Sequence, residues 1–235
     1  MFVYSMSYPS LNEPALTIWV IQRRCFDNAD FYRRWSDYKA GFGNFKEKSD
    51  FWIGNDAIHM LTRNGYNHMR IEMLRTDNEL IEAEYKYFFV GDEHTEYNLT
   101  INGFTGLYGN ISMQENTKIF RHFFLLTVCL RRKCSGSYHD FKSQEIIVDC
   151  LSNKTNKRAN ADGMKFTTID ADNDLWDYGI CANICKSGWW FNFCTCGNIN
   201  GLFGNEKTSI ASEMRWRCSG SQDCTLKATR ILIRP

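Results

Sequence analysis

Between residues 170 and 181 the chain reads DADNDLWDYGIC, which places Asp170, Asp172, Asp174 and Asp177 within eight residues and ends on Cys181. Two chemistries suit such a stretch. Asp and Asn favour turns because their short side chains hydrogen-bond nearby backbone, so a solvated turn is one reading. A calcium loop is the other, because a hard cation takes carboxylate and backbone carbonyl oxygens that alternate along an irregular loop. Zinc is a third chemistry to weigh, at Cys181, Cys185, Cys194 and Cys196. Their C-x3-C and C-x-C spacings fall outside the usual zinc pairings, and no histidine lies nearby. Catalysis has no comparable signal. His59, His68, His94, His122 and His139 form no recognisable triad, and no glycine-rich phosphate loop is present. His59 and His68 read as surface positions on a helix and a strand, so the chain is expected not to be an enzyme.

The totals narrow the class further. With 235 residues, 15% of them aromatic, the chain can bury a substantial core. A net charge of +1 argues against nucleic acid as the main partner, since phosphate binding normally needs a basic excess. Ten cysteines, concentrated in the second half, point to an oxidising compartment. Sequons at Asn98, Asn110 and Asn153 agree as candidate glycosylation sites. The opening MFVYSMSYPSLNEPAL lacks the basic start and apolar run of a signal peptide, leaving N-terminal truncation or a non-secreted protein as readings. The run FFLLTVCL at 123–130 is too short to span a bilayer, so no membrane span is expected.

These candidate groups must be positioned by regular elements. LTIWVIQRR at 16–24 reads as a strand. NADFYRRWSDYKAGFG reads as a helix capped by Asn28 and stopped by Gly41, and SDFWIGNDAIHMLTRNG as a second helix stopped by Gly65. The stretches 66–75, 83–91 and 97–106 alternate as strands do. Short helices mixed with antiparallel strands predict an α+β domain. Residues 115–161 break the pattern, with nine Lys/Arg against four Asp/Glu and no clear period. They read as an atypical basic insertion. A patch for a polyanion and sequence never selected to fold are the alternatives.

The order of motifs carries more than any one of them. WVIQRR, DFYRRWSDYKAGFGN, DFWIGNDAIHMLT, GMKFTTIDADND, CANICKSGWWFNFC, NINGLF and a terminal ILIRP follow one another along the chain. In this order, over 17–114 and 162–235, the chain resembles the fibrinogen C-terminal domains, a family that includes ficolins, tachylectins and angiopoietins. The resemblance implies one domain over 1–235, N-terminally truncated, with a mixed or antiparallel sheet, short helices and a loop-rich subdomain bearing calcium. It implies Ca2+ held by the carboxylates of Asp172 and Asp174 and the backbone carbonyls of Trp176 and Tyr178. It also implies a disulfide between Cys181 and Cys194. Cys218 and Cys224 are candidates for a second, local disulfide, while Cys25, Cys129, Cys134 and Cys150 have no assignable partners.

The same resemblance implies a secreted recognition module without catalysis. Its expected role is calcium-dependent, lectin-like binding of acetylated or glycan ligands in innate defence, of the invertebrate type. Receptor binding of the angiopoietin-like kind, or a matrix protein interaction, is the alternative. Full-length relatives oligomerise through a coiled-coil or collagen-like stalk, so a homo-oligomer is a further expectation. The acetyl pocket of lectin-like members lies near the calcium site, which nominates Ile180, Thr195, Phe191 and Cys224 as ligand-binding positions. Three of these depart from the family pattern. Ile180 stands where Asn or Asp is common, Thr195 replaces a His, and Cys224 replaces a Tyr. Trp189, Trp190 and Phe191 read first as core.

Overall fold

Alternation along the strands decides which side of the main sheet meets the core. In β5 (His68–Arg75), Met69, Ile71 and Met73 are buried on one face, while His68, Arg70 and Glu72 take the other. The neighbouring β6 (Leu80–Val90) and β10 (Gln222–Arg234) keep the same period. Register makes the two faces consistent across the sheet. Ile231, Ile71 and Ala83 lie side by side on the inner face, and Arg230, Glu72 and Glu82 on the outer one. The outer rows are matched in charge: Arg230 donates from Nε to Glu72 Oε2 (2.9 Å), and Arg70 Nη2 meets Glu84 Oε1 (2.6 Å).

This computed structural model describes residues 5–8, 16–46, 48–108, 147–153, 155, 160–204, 209–219 and 222–235. Its remaining strands are β1 (Ser5–Tyr8), β2 (Leu16–Arg24), β3 (Phe42–Gly43), β4 (Phe51–Trp52), β7 (Leu99–Tyr108), β8 (Gly197–Asn198) and β9 (Arg215–Ser219). The sheet runs β3-β4-β2-β10-β5-β6-β7, with β1 on β2 and the short β8–β9 pair continuing from the start of β10. Every pairing between these strands is antiparallel. Among the described residues three short α-helices, α1 (Trp35–Ala40), α2 (Asn55–Arg63) and α3 (Cys181–Cys185), and a 3-10 turn at Glu93–Thr95 give the α+β architecture its helical part. No described helix is long and apolar enough to cross a membrane.

The inner face supports a stack of rings around Trp52. Tyr38, Phe166, Trp190 and Trp189 surround it at centroid distances of 5.6, 6.0, 6.2 and 6.4 Å. Tyr38 adds a directional bond to this apolar contact. Its hydroxyl donates to Phe31 O (2.7 Å) and accepts from Gly188 N (2.9 Å), tying α1 to a chain segment 150 residues away. Gly188 has to be glycine, because a Cβ there would lie 2.5 Å from Tyr38 Cε2.

Two sequence expectations change. The first helix begins at Trp35 rather than after Asn28, and Asn28 instead joins a turn, accepting from Asp50 N (2.8 Å) and donating to Lys48 O (3.0 Å). Phe51 and Trp52 are a strand rather than helix, because they pair with β2 and β3. In the described part of the segment 115–161, Ile147, Cys150, Leu151 and Ala161 are buried in the main core. Residues 109–146 lie outside the described residues, and with them Cys129, Cys134 and Asn110; so do 1–4 and 9–15.

Replacing Tyr38 with Phe keeps the ring and strands the buried Gly188 N–H, which costs about 1–3 kcal/mol. Thermal denaturation is expected to show a melting temperature lower by roughly 2–4 °C per kcal/mol lost. Cys185, a buried free thiol in α3, has its pKa pushed up to about 12 by burial. Native protein treated with iodoacetamide at pH 8 is expected to leave the Cys185 peptide unmodified, and denatured protein to modify it.

Candidate metal loop and ligand face

The four aspartates of the acidic stretch do different work. Asp170 is structural. Its Oδ1 accepts from Trp35 N (2.8 Å) and from Thr168 Oγ1 (2.8 Å), so it caps α1 from 135 residues away while Arg34, the local cap position, makes no side-chain cap bond. Asp172 and Asp174 form a pair, with Asp174 N donating to Asp172 Oδ1 (3.4 Å). Asp174 also organises the backbone behind it, since its Oδ1 accepts from Trp176 N (2.9 Å) and its Oδ2 from Cys181 N (2.8 Å). Asp177 is exposed.

Neighbouring elements hold this loop from several sides. Asn173 donates to Phe166 O (2.8 Å), and Leu175 N donates to Asn192 O (2.9 Å). Trp176 packs its ring on the main core, while its carbonyl accepts from Gly179 N (3.3 Å). Tyr178 is 84% exposed. At the far end, a disulfide joins Cys181 at the start of α3 to Cys194.

The donor chemistry fits a hard cation. Among the described residues no Lys or Arg pairs with Asp170, Asp172, Asp174 or Asp177, although two of these carboxylates are adjacent. Partial burial raises the Asp174 pKa, and the neighbouring Asp172 charge raises it further, opposed by the two backbone N–H bonds. Each Asp174 oxygen holds one N–H and keeps a second lone pair for a metal. Asp172 and Asp174 are therefore the carboxylates that would hold Ca2+, with the Trp176 and Tyr178 carbonyls as the neutral ligands implied by the resemblance. Among the described residues no group of three or more His, Cys, Asp or Glu side chains is gathered for a metal. A site here would thus lean on backbone and water oxygens, as calcium loops do.

The cysteines leave no room for zinc. Cys181 is bonded to Cys194, Cys150 to Cys196, and Cys218 to Cys224. Cys150, which had no assignable partner in the sequence, thus anchors the end of the basic segment to the site. Cys25 is also disulfide-bonded.

The nominated ligand positions are placed differently from the expectation. Phe191 is fully buried and belongs to the core. Cys224 is buried, 7% exposed, and bonded to Cys218 across the β9–β10 pair. Thr195 turns its hydroxyl onto its own chain, donating to Gly197 O (2.8 Å) and accepting from Gly197 N (3.1 Å). Ile180 is half-buried and packs on the core ahead of α3. Of these four side chains, only Thr195 carries a donor, and its hydroxyl is bonded to Gly197. On and beside the loop, Leu175 (57%), Tyr178 (84%), Ile184 (38%) and Phe193 (38%) are exposed together with the polar Asp172, Asp177 and Asn183. Sequence reasoning passed over Leu175, Ile184 and Phe193. The available signal was an apolar residue set inside an acidic turn, where solvation alone would not place one. Of the sequons, Asn98 donates from Nδ2 to Gly163 O (2.7 Å), and Asn153 Oδ1 accepts from Thr155 N (3.0 Å) and Oγ1 (2.6 Å).

Comparison with known proteins agrees with this architecture. Bovine fibrinogen-like protein 1 is 32% identical over 219 residues, which cover 92% of this chain and 59% of that protein. Human fibroleukin is 29% identical over 225 residues, covering 92% of this chain and 42% of its own length. The chain therefore spans about half the length of the curated relatives it matches. Among solved structures, the fibrinogen-like globe domain of human ANGPTL2 superposes with a TM-score of 0.65 at 24% identity, covering 100% of this chain and 93% of that one. Lamprey fibrin D-dimer complexed with the peptide Gly-His-Arg-Pro-amide superposes at 0.68 with 23% identity, covering 99% and 68%. The model of the C-terminal globular domain of fibrinogen beta and gamma chains matches residues 11–235, and the chain belongs to that family.

Proposed function

We propose that this domain is an extracellular recognition module whose ligand is a protein or peptide, bound on the face around the acidic loop with Ca2+ in that loop. The family is one of non-enzymatic domains. Disulfides among six described cysteines favour an oxidising, extracellular setting. The observation that carries the choice of ligand is the exposed apolar set Leu175, Tyr178, Ile184 and Phe193 on and beside the acidic loop. Apolar and aromatic surface of this kind suits side chains of a protein partner. An N-acetyl pocket needs a donor for the carbonyl oxygen, and Thr195 has none to offer. The peptide held in the lamprey D-dimer complex is in keeping with a peptide ligand here.

Calcium in the role proposed would neutralise the Asp172–Asp174 pair and stiffen the loop that presents Leu175 and Tyr178. Ion at a hundredfold excess over its Kd stabilises the folded state by about 2.7 kcal/mol, a rise in melting temperature of roughly 5–10 °C over EDTA. Asp172→Asn is expected to abolish that difference and leave the EDTA value nearly unchanged. Asp174→Asn should abolish it and also lower the EDTA value, because two backbone N–H groups lose a charged acceptor. Equal melting temperatures of the unsubstituted protein in calcium and EDTA would rule the metal out.

Ligand class is tested on N-acetylglucosamine resin and by peptide display on the immobilised domain. No retention on the resin is expected. Selected peptides should bind in calcium and lose on the order of tenfold in affinity with Leu175→Asp or Tyr178→Asp, about the effect of one lost buried contact. Retention on the resin that acetate and EDTA both reverse would establish the lectin reading instead.

A further inference from the structure

The outer face of the main sheet carries one row of charge that the fold leaves unmatched. Its other rows pair opposite signs across the strands, Arg230 with Glu72 and Arg70 with Glu84. One step along, Arg234 of β10 stands directly opposite His68 of β5, and Lys86 of β6 follows on the Tyr85–Met69 pair, beside His68. These three side chains line one open cleft of about 430 Å³ together with Asn67, Glu84, Thr105 and Pro235. Glu84, the anionic side chain of the wall, is already held by Arg70 through two bonds of 2.7 and 2.6 Å. Among the described residues no carboxylate pairs with His68, Lys86 or Arg234. Burial and the Arg234 charge lower the His68 pKa, so near neutral pH its ring is uncharged and offers an N–H donor between the two cations. The fold also makes space for the lysine. Gly103, at φ +72°, faces Lys86 so closely that a Cβ would lie 2.7 Å from the lysine Cβ.

We propose that this cleft binds a sulfated glycan, whose anionic groups bridge Arg234, His68 and Lys86. Lys86 and Arg234 stand on strands separated by one other, their backbones about 9–10 Å apart. A ligand with repeated anionic groups matches that row, and an open cleft admits a chain passing through it. Arg234 supplies a planar fork for a sulfate, and Lys86 a mobile point charge. Sulfated glycan is the polyanion that fits the extracellular setting proposed above. The cleft itself owes nothing to the acidic loop, which shares none of its residues.

The test is calorimetric titration of the full chain with a heparin tetrasaccharide in EDTA at physiological ionic strength, so that failure of the calcium loop cannot affect the result. Binding is expected, weakening as salt is raised. Lys86→Gln with Arg234→Gln should reduce affinity at least tenfold, each lost charge-assisted bond being worth about tenfold. The melting temperature of this variant should be unchanged, since neither side chain is held in an ion pair among the described residues. Arg34→Gln, a control at an exposed cation ahead of α1, should bind like the unsubstituted chain. No binding by the unsubstituted chain, or equal binding by the double variant, would overturn the proposal. Equal affinity for a DNA oligonucleotide of matched charge would overturn the assignment to glycan.

Discussion

The contact between α1 and the segment that follows Gly188 holds the two halves of this domain together. Residues 160–200 contain little regular structure, so their own backbone hydrogen bonds cannot define a shape. They are placed by tertiary contacts, among them the ring stack around Trp52, backbone bonds from Gly163 N to Leu99 O and from Phe166 N to Glu96 O, and two bonds to α1, donated by Gly188 N to Tyr38 OH and by Trp35 N to Asp170. The rings supply apolar burial, which is strong but without direction. The two hydrogen bonds supply direction, one at the start and one within a six-residue helix. A helix that short is unstable alone. It persists because the loop it positions also caps it.

Electrostatics follow the same division between structure and surface. Inside the acidic stretch, one residue type serves as a helix cap at Asp170, a backbone organiser at Asp174 and a solvated group at Asp177. Across the outer sheet face, buried Arg230 and Glu72 satisfy each other, as they must, because an unpaired buried charge is strongly destabilising. Where charges are left unmatched, at Asp172–Asp174 and at Arg234 and Lys86, both sites are at the surface, open to a ligand of the opposite sign. The two surfaces differ in chemistry, one calling for a cation and the other for an anion.

Disulfides reinforce the loop-rich half. Cys181–Cys194 closes a span of 13 residues against the acidic loop, and Cys150–Cys196 reaches 46 residues back into the basic segment. Thr195 lies between the two bonded cysteines at 194 and 196, and its hydroxyl closes on Gly197 within that tight stretch. Such local closure explains why a residue with a suitable donor in sequence has no donor to offer a ligand.

Local patterns in the chain were enough to settle several features before any tertiary contact. The strand at Leu16–Arg24, the glycine stop at Gly41 and the alternation of β5 to β7 need only neighbours in sequence. Motif order sufficed for the family, because seven stretches must each suit one fold. What sequence could not contain was any fact about residues brought together from far apart. Asn28 looks like a helix cap, yet the cap is Asp170, because capping needs only an oxygen at the right place and tertiary packing supplied one. Phe191 and Leu175 are both apolar neighbours of the loop, but only packing decides that one is core and the other surface. The Arg234–His68–Lys86 row was invisible for the same reason: those residues lie far apart along the chain, and antiparallel register alone makes them neighbours.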